Sequence, residues 1–170
     1  MTNNDYVDVD VDEEYTFNIK EKITPDYKIA YPILEWLQSE LETLTDADDH
    51  TIFGKVNCGF NESTLKSYGK KPVYDVYLDR VEYDSDFDNH TPLYAYTFLL
   101  FHMKGANNPN YLKACSLHDY LMQELITNES LRSLTSIVKD THIENSEIRI
   151  QPLNKKWGVI GAFELKHELY

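Results

Sequence analysis

LYAYTFLLFHM, residues 93–103, decides how this chain folds. In an extended strand successive side chains point to opposite faces. Tyr94, Tyr96, Phe98 and Leu100 then share one face; Leu93, Ala95, Leu99 and Phe101 share the other. A strand apolar on both faces belongs in the middle of a sheet, covered on each side by helices or by a neighbouring subunit.

The neighbouring segments supply the rest of that sheet. Upstream, Pro72 opens a second strand whose apolar content is Val73, Tyr74, Val76, Tyr77, Leu78 and Val81. Asp84, Asp86 and Asp88 lie in the connection between the two strands, with Asn89 and Pro92 as turn formers. Downstream, residues 105–110 form a turn-rich loop. A long helix is predicted over 111–126, where Ala114, Leu117, Leu121 and Leu125 make a continuous stripe that Met122 and Ile126 widen. Leu131, Leu134 and Val138 predict a short helix over 130–138. The chain closes on a hairpin: one strand over 143–152, a turn at Asn154-Lys155-Lys156, and a strand over 157–170. In its second half Phe163, Leu165, His167 and Leu169 alternate with Glu164, Lys166 and Glu168, the pattern of one buried and one wet face.

Nearer the N-terminus, Pro32 suits a first helical turn, and Ile33, Leu37, Leu41 and Leu44 with Trp36 predict an amphipathic helix. An acidic loop over 45–50 carries Asp46, Asp48 and Asp49; a strand follows over 51–60, weakened by Gly54 and Gly59. A polar loop over 61–71 carries Lys66, Lys70 and Lys71. Strands in hairpins with helices packed on them make an α+β fold: an antiparallel sheet with helices on one face. Residues 21–170 form this single domain. Residues 1–20 stand apart as an extended acidic arm. In it Val7, Val9 and Val11 alternate with Asp8, Asp10 and Asp12, and Tyr15, Phe17 and Ile19 continue the period, with Tyr6 just ahead. The arm reads equally as an edge strand that forms against a partner and as a disordered acidic tail.

The 170 residues suit one domain with a tail. The most apolar run, Phe98-Leu99-Leu100-Phe101, is far short of a membrane span, and the acidic N-terminus does not resemble a signal peptide. The two cysteines, Cys58 and Cys115, read as buried thiols in a reducing compartment. With 29 acidic residues against 16 Lys and Arg, a net charge of −13, the surface is unsuited to gripping a nucleic acid. It suits solubility, or a wall past which DNA must slide. Thirteen tyrosines fit either protein interfaces or half-buried strands.

No catalytic motif stands out. Asp8-x-Asp10-x-Asp12 starts like a calcium loop, but Glu13 holds the position that needs Gly and Ile19 the one that needs Glu. The six histidines show no helical ligand spacing, and no CxxC occurs. His118 lies three residues from Cys115, a spacing that a packed helix face explains better than nucleophilic chemistry. There is no phosphate-binding glycine loop and no GxSxG. No enzyme activity, cofactor or metal is expected.

The order of elements carries a resemblance. PVYDVYL at 72–78, an acidic connection, YAYTFLLF at 94–101, the helix over 111–126 and the closing strand over 157–170 resemble the tail terminator proteins of long-tailed, siphovirus-type phages and their relatives among neck and tail-completion proteins. With the first helix, the resemblance covers residues 29–170. It implies a small α+β protein that assembles with itself into a ring, a hexamer in that family. Such a ring caps the finished tail tube, meets the head connector and lets DNA pass through its channel. It also implies a place in the virion after assembly in the host cytoplasm, with no membrane. The alternatives are a head-to-tail joining protein and, from another class, an acidic DNA-mimic inhibitor. On the ring reading, Asp84, Asp86 and Asp88 line the channel, with Asp46, Asp48 and Asp49 as second choice. Lys66, Lys70 and Lys71 point away from it. The arm residues Tyr6, Val7, Val9, Val11, Tyr15 and Phe17, with Tyr94 and Tyr96, join the lysines as partner contacts.

Overall fold

The computed structural model describes residues 23–24, 28–59, 71–84, 91–153 and 156–170. The arm, Lys66, Lys70, Asp86 and Asp88 lie outside these, as does most of the closing turn. The elements run α1 (Ala30–Glu42), β1 (Lys55–Cys58), β2 (Val73–Tyr83), β3 (Pro92–Lys104), α2 (Asn108–Thr127), α3 (Glu129–Arg132), β4 (Val138–Leu153) and β5 (Lys156–Leu169). The fold is α+β: one five-stranded sheet in the order β1-β2-β3-β5-β4, with the described helices against it.

The sheet is mixed rather than antiparallel throughout. β2, β3, β5 and β4 pair antiparallel, but β1 runs parallel to β2, with Val56 opposite Tyr74. A parallel neighbour needs a connection of about a dozen residues or more to bring the chain back. Residues 59–72 supply that length. β1 is also shorter than the predicted 51–60. Gly59 turns the chain at φ 87°, and its N–H donates to the Val76 carbonyl at 2.6 Å. Only the four residues of β1 pair, so Cys58 is exposed at its end rather than buried, while Cys115 is half-buried.

β3 is central, as its two apolar faces require. Ala95, Thr97, Leu99 and Phe101 are buried on one face. They belong to the core side, where Ile33, Leu37 and Leu41 of α1 and Ala114, Leu121 and Leu125 of α2 pack with Phe163 and Leu165 of β5. Gly161 of β5 lies opposite Phe101, and the aromatic ring fills the space where its side chain would be. Glycine is therefore required at 161 by packing.

Local chemistry places the helices. Asn107 caps α2: its side-chain oxygen accepts from the Asn110 N–H at 3.3 Å. Asn128 ends α2 and caps α3, accepting from Ser130 N–H at 3.0 Å. The predicted helix over 130–138 is only the single turn Glu129–Arg132. Ser133 is already extended, with φ −139° and ψ 137°, and Val138 pairs with Leu169 as the start of β4. β4 thus begins five residues before the predicted 143. Register shifts between Val138 and Asp140 and between Ile143 and Asn145 interrupt its period of two.

Packing at Gly161 yields a direct test. Gly161→Ala should lower thermal stability by about 1–3 kcal/mol, the usual cost of overpacking. Adding Phe101→Leu should recover part of that loss if the ring is the obstacle. Equal or additive losses in the double variant, measured by thermal or urea unfolding, would refute this account.

Candidate interaction surface

All three described helices lie on the core side of the sheet, so the opposite face has no described helix over it. Register places Tyr77, Phe98 and Glu164 in one row across that face, Arg80, Tyr96 and Lys166 in the next, and Glu82, Tyr94 and Glu168 in a third. Tyr77 and Phe98 stack with centroids 5.4 Å apart. The Arg80 guanidinium sits 3.6 Å from the centre of the Tyr96 ring, whose hydroxyl donates to Glu82 Oε2 at 3.2 Å. Lys166 Nζ lies 4.1 Å from the Tyr94 ring centre. Cation–π pairs contribute about 0.5–1 kcal/mol at exposed sites. They hold Tyr96 buried while Tyr94, Phe98 and Leu100 remain half-buried. The face is therefore a band of aromatic rings edged by charges of both signs.

At the far end of the same face is a cluster the sequence analysis did not single out. Asp75 is wholly buried; Asn57 donates to its Oδ1 at 2.7 Å and His102 Nε2 lies 3.1 Å from its Oδ2. The visible signal was a lone acid inside the apolar run Val73-Tyr74-Asp75-Val76. The cluster ties β1, β2 and β3 side by side, which suits structure.

His167 has a comparable role on the core side. It is fully buried, between Thr97 Oγ1 at 2.7 Å on Nε2 and Thr141 Oγ1 at 2.9 Å on Nδ1. The edge of Trp36 meets its ring at 5.8 Å. Both ring nitrogens are partnered, so the side chain links β3, β5 and β4. Burial pushes its pKa down to about 3. His118 stacks on Phe163 at 4.6 Å, and burial also pushes its pKa down.

The acidic candidates divide between the two ends of the sheet. The loop with Asp46, Asp48 and Asp49 precedes β1 and lies beside the start of β2, where Lys71 Nζ donates to the Thr51 carbonyl at 2.7 Å. Asp84 follows the end of β2, about 35 Å away along the strand at ~3.3 Å per residue. Its N–H donates to Thr91 O at 2.9 Å, closing the base of the β2–β3 connection. Lys71 thus lies at the end opposite Asp84. Asp46 is committed to its own loop: its Oδ1 accepts from the N–H groups of Asp48 and His50, each at 3.0 Å. Those bonds, that from His50 foremost, hold its pKa low. Asp46, Asp48 and His50 have ligand-type atoms within 4.8 Å of one another, all exposed, an arrangement that the turn itself explains.

No protein-family model matches the chain, and no curated protein matches it. Among the described residues no helix is long and apolar enough to cross a membrane.

The buried histidine sets a pH dependence. His167 is neutral when folded but takes up a proton near pH 6.5 once unfolded. Between about pH 3 and 6.5 the unfolded chain holds the extra proton, so stability falls as pH drops through that window. His118 acts in the same direction. From pH 6 to 5 the loss attributable to His167 should approach about 1.4 kcal/mol, one proton's worth. His167→Gln should flatten that slope in urea unfolding; an unchanged slope would show that His167 is not the group responsible.

Proposed function

We propose that this chain is a structural protein of a phage virion, the tail terminator: a ring of identical copies that caps the tail tube, meets the head connector and passes DNA through its channel. The observation that carries the reading is the aromatic band on the sheet face that no described helix covers. Tyr94, Phe98 and Leu100 stay half-buried there, although they belong to the central strand. A neighbouring copy is the natural cover for such a face in a protein built to assemble. The element order, which resembles the terminator family, supports the same reading. The ring size, hexameric in that family, and the location in the virion rest on that resemblance.

The joining-protein alternative uses the same surfaces and differs only in which ring it meets. An acidic DNA mimic needs its carboxylates in one phosphate-like stripe. The split of Asp46, Asp48 and Asp49 from Asp84 between opposite ends of the sheet counts against it.

Negative-stain images of the purified protein mixed with tail tubes test the proposal: rings should sit on tube ends. Rings that bind only connectors would favour the joining protein. Phe98→Asp should leave the monomer folded, at a cost of about 1 kcal/mol from the lost ring stacking, yet abolish ring formation. Leu99→Asp, on the helix-covered side, should unfold the domain. Equal unfolding in both variants would refute an interface on the aromatic band.

The channel wall is tested by charge. On this reading Asp84, Asp86 and Asp88 line it, and a duplex carrying one charge per ~1.7 Å is kept centred by repulsion. That repulsion is screened over about 8–10 Å at ordinary salt. Reversing all three to Lys should leave rings intact but slow DNA ejection in a salt-dependent way. Ejection unchanged at low salt would overturn the assignment. Lys71, at the opposite end of the sheet from Asp84, is consistent with a basic contact directed away from this wall.

A further inference from the structure

Among the described residues the sheet has one long edge without a partner strand. β4 is last in the strand order and sixteen residues long; the other outer strand, β1, has only four. An unpaired strand edge presents a row of N–H and C=O groups ready to bond another extended segment. Beside the edge lies a hollow of about 630 Å³ between β4 and the end of α2. Met122, Leu125 and Ile126 line its helix side and Ile143 its strand side, and the rest of the lining is polar, with Arg132, His142 and Glu144 among it. Ile126 is 54% exposed, an unusual state for an aliphatic side chain next to a core. The register shifts at Asp140 and Asn145, with charged Lys139, guard this edge against indiscriminate pairing. A partner must therefore bring its own apolar side chains to the hollow.

The chain contains such a segment. In residues 7–19 the apolar side chains Val7, Val9, Val11, Tyr15, Phe17 and Ile19 fall on one face of a strand, interrupted there by Glu13, with acids at 8, 10, 12 and 14 on the other. Extended, those residues span about 43 Å, and β4 about 53 Å. The apolar side chains would sit over the hollow and Asp8, Asp10, Asp12 and Glu14 toward water. Geometry favours a second copy over the arm's own domain: the arm leads into α1, which packs on β1 and β2, at the other edge of the sheet. We propose that the edge of β4 and its hollow seat the N-terminal arm of a second copy of this chain by strand addition. This rests on the ring-forming reading and names the contact that would link neighbouring copies.

The test uses the full chain and two variants: Val7→Asp/Val9→Asp/Val11→Asp in the arm, and Ile126→Asp at the exposed side of the hollow. Assembly is followed by light scattering against protein concentration, and amide exchange by mass spectrometry over residues 141–149. In the parent chain, protection of these amides should rise with concentration in step with assembly. Each variant should need at least tenfold more protein to assemble, with amides 141–149 exchanging at the monomer rate. Protection independent of concentration, or assembly unchanged in both variants, would overturn the proposal. Tube binding separates this inference from the reading beneath it. An arm-dependent assembly that ignores tail tubes would refute the terminator and keep this contact. Tube capping that survives both variants would refute this contact and keep the terminator.

Discussion

The constraint on which the rest depends is that β3 must be buried along both of its edges while its two faces meet different surroundings. Ladders to β2 and β5 satisfy its backbone groups. Alternation then divides its side chains without choice. Ala95, Thr97, Leu99 and Phe101 go beneath α1 and α2; Tyr94, Tyr96, Phe98 and Leu100 go to the other side. Burying a large apolar side chain contributes about 1.5–3 kcal/mol. The first set is what holds the monomer together. The second set obtains only part of that stabilisation within the described chain, through ring stacking and the cations of Arg80 and Lys166.

Polar groups inside the sheet settle its alignment rather than its strength. A buried donor or acceptor left without a partner costs about 1–3 kcal/mol. Thr97, His167 and Thr141 meet only when β3, β5 and β4 are aligned as observed, and Asn57 reaches Asp75 only when β1 lies beside β2 in its parallel register. A slip of one residue would move every such group to the wrong face. Arg132 acts similarly outside the core: its guanidinium bonds both oxygens of Asp140, at 2.7 and 2.9 Å, and fixes the one-turn α3 against the start of β4. Although partial burial pulls the other way, this pairing and the Thr141 amide hold the Asp140 carboxyl below its ordinary pKa.

Charge is distributed by topology. A net −13 says that copies of this chain repel at long range, so any assembly must win through short-range contacts. The aromatic band and the β4 edge are two places that offer such contact. The exposed acids of the 45–50 loop and Asp84 are separated by the length of β2 because one precedes β1 and the other follows β2, and these two strands are parallel.

Much of this architecture was legible in the residues. Strand-favouring apolar residues marked β2, period-two runs marked β3 and the second half of β5, and the stripe from Ala114 to Leu125 marked α2, because residue preference and periodicity are local properties. The segment from Leu131 to Val138 misled for the same reason: its spacings suit a helix, but Asn128 caps a single turn and Val138 finds Leu169, a partner far along the chain. The parallel pairing of β1, the separation of the acidic loops, the hollow beside β4 and the bond between Asn57 and Asp75 depend on which strands become neighbours. Sequence by itself determined the strand or helix character of α1, α2, β2, β3 and β5, the two apolar faces of β3 and the acidic balance. Only the tertiary structure decided which of those faces the described helices cover and which long edge no described strand pairs, because both follow from long-range pairing that no local pattern encodes.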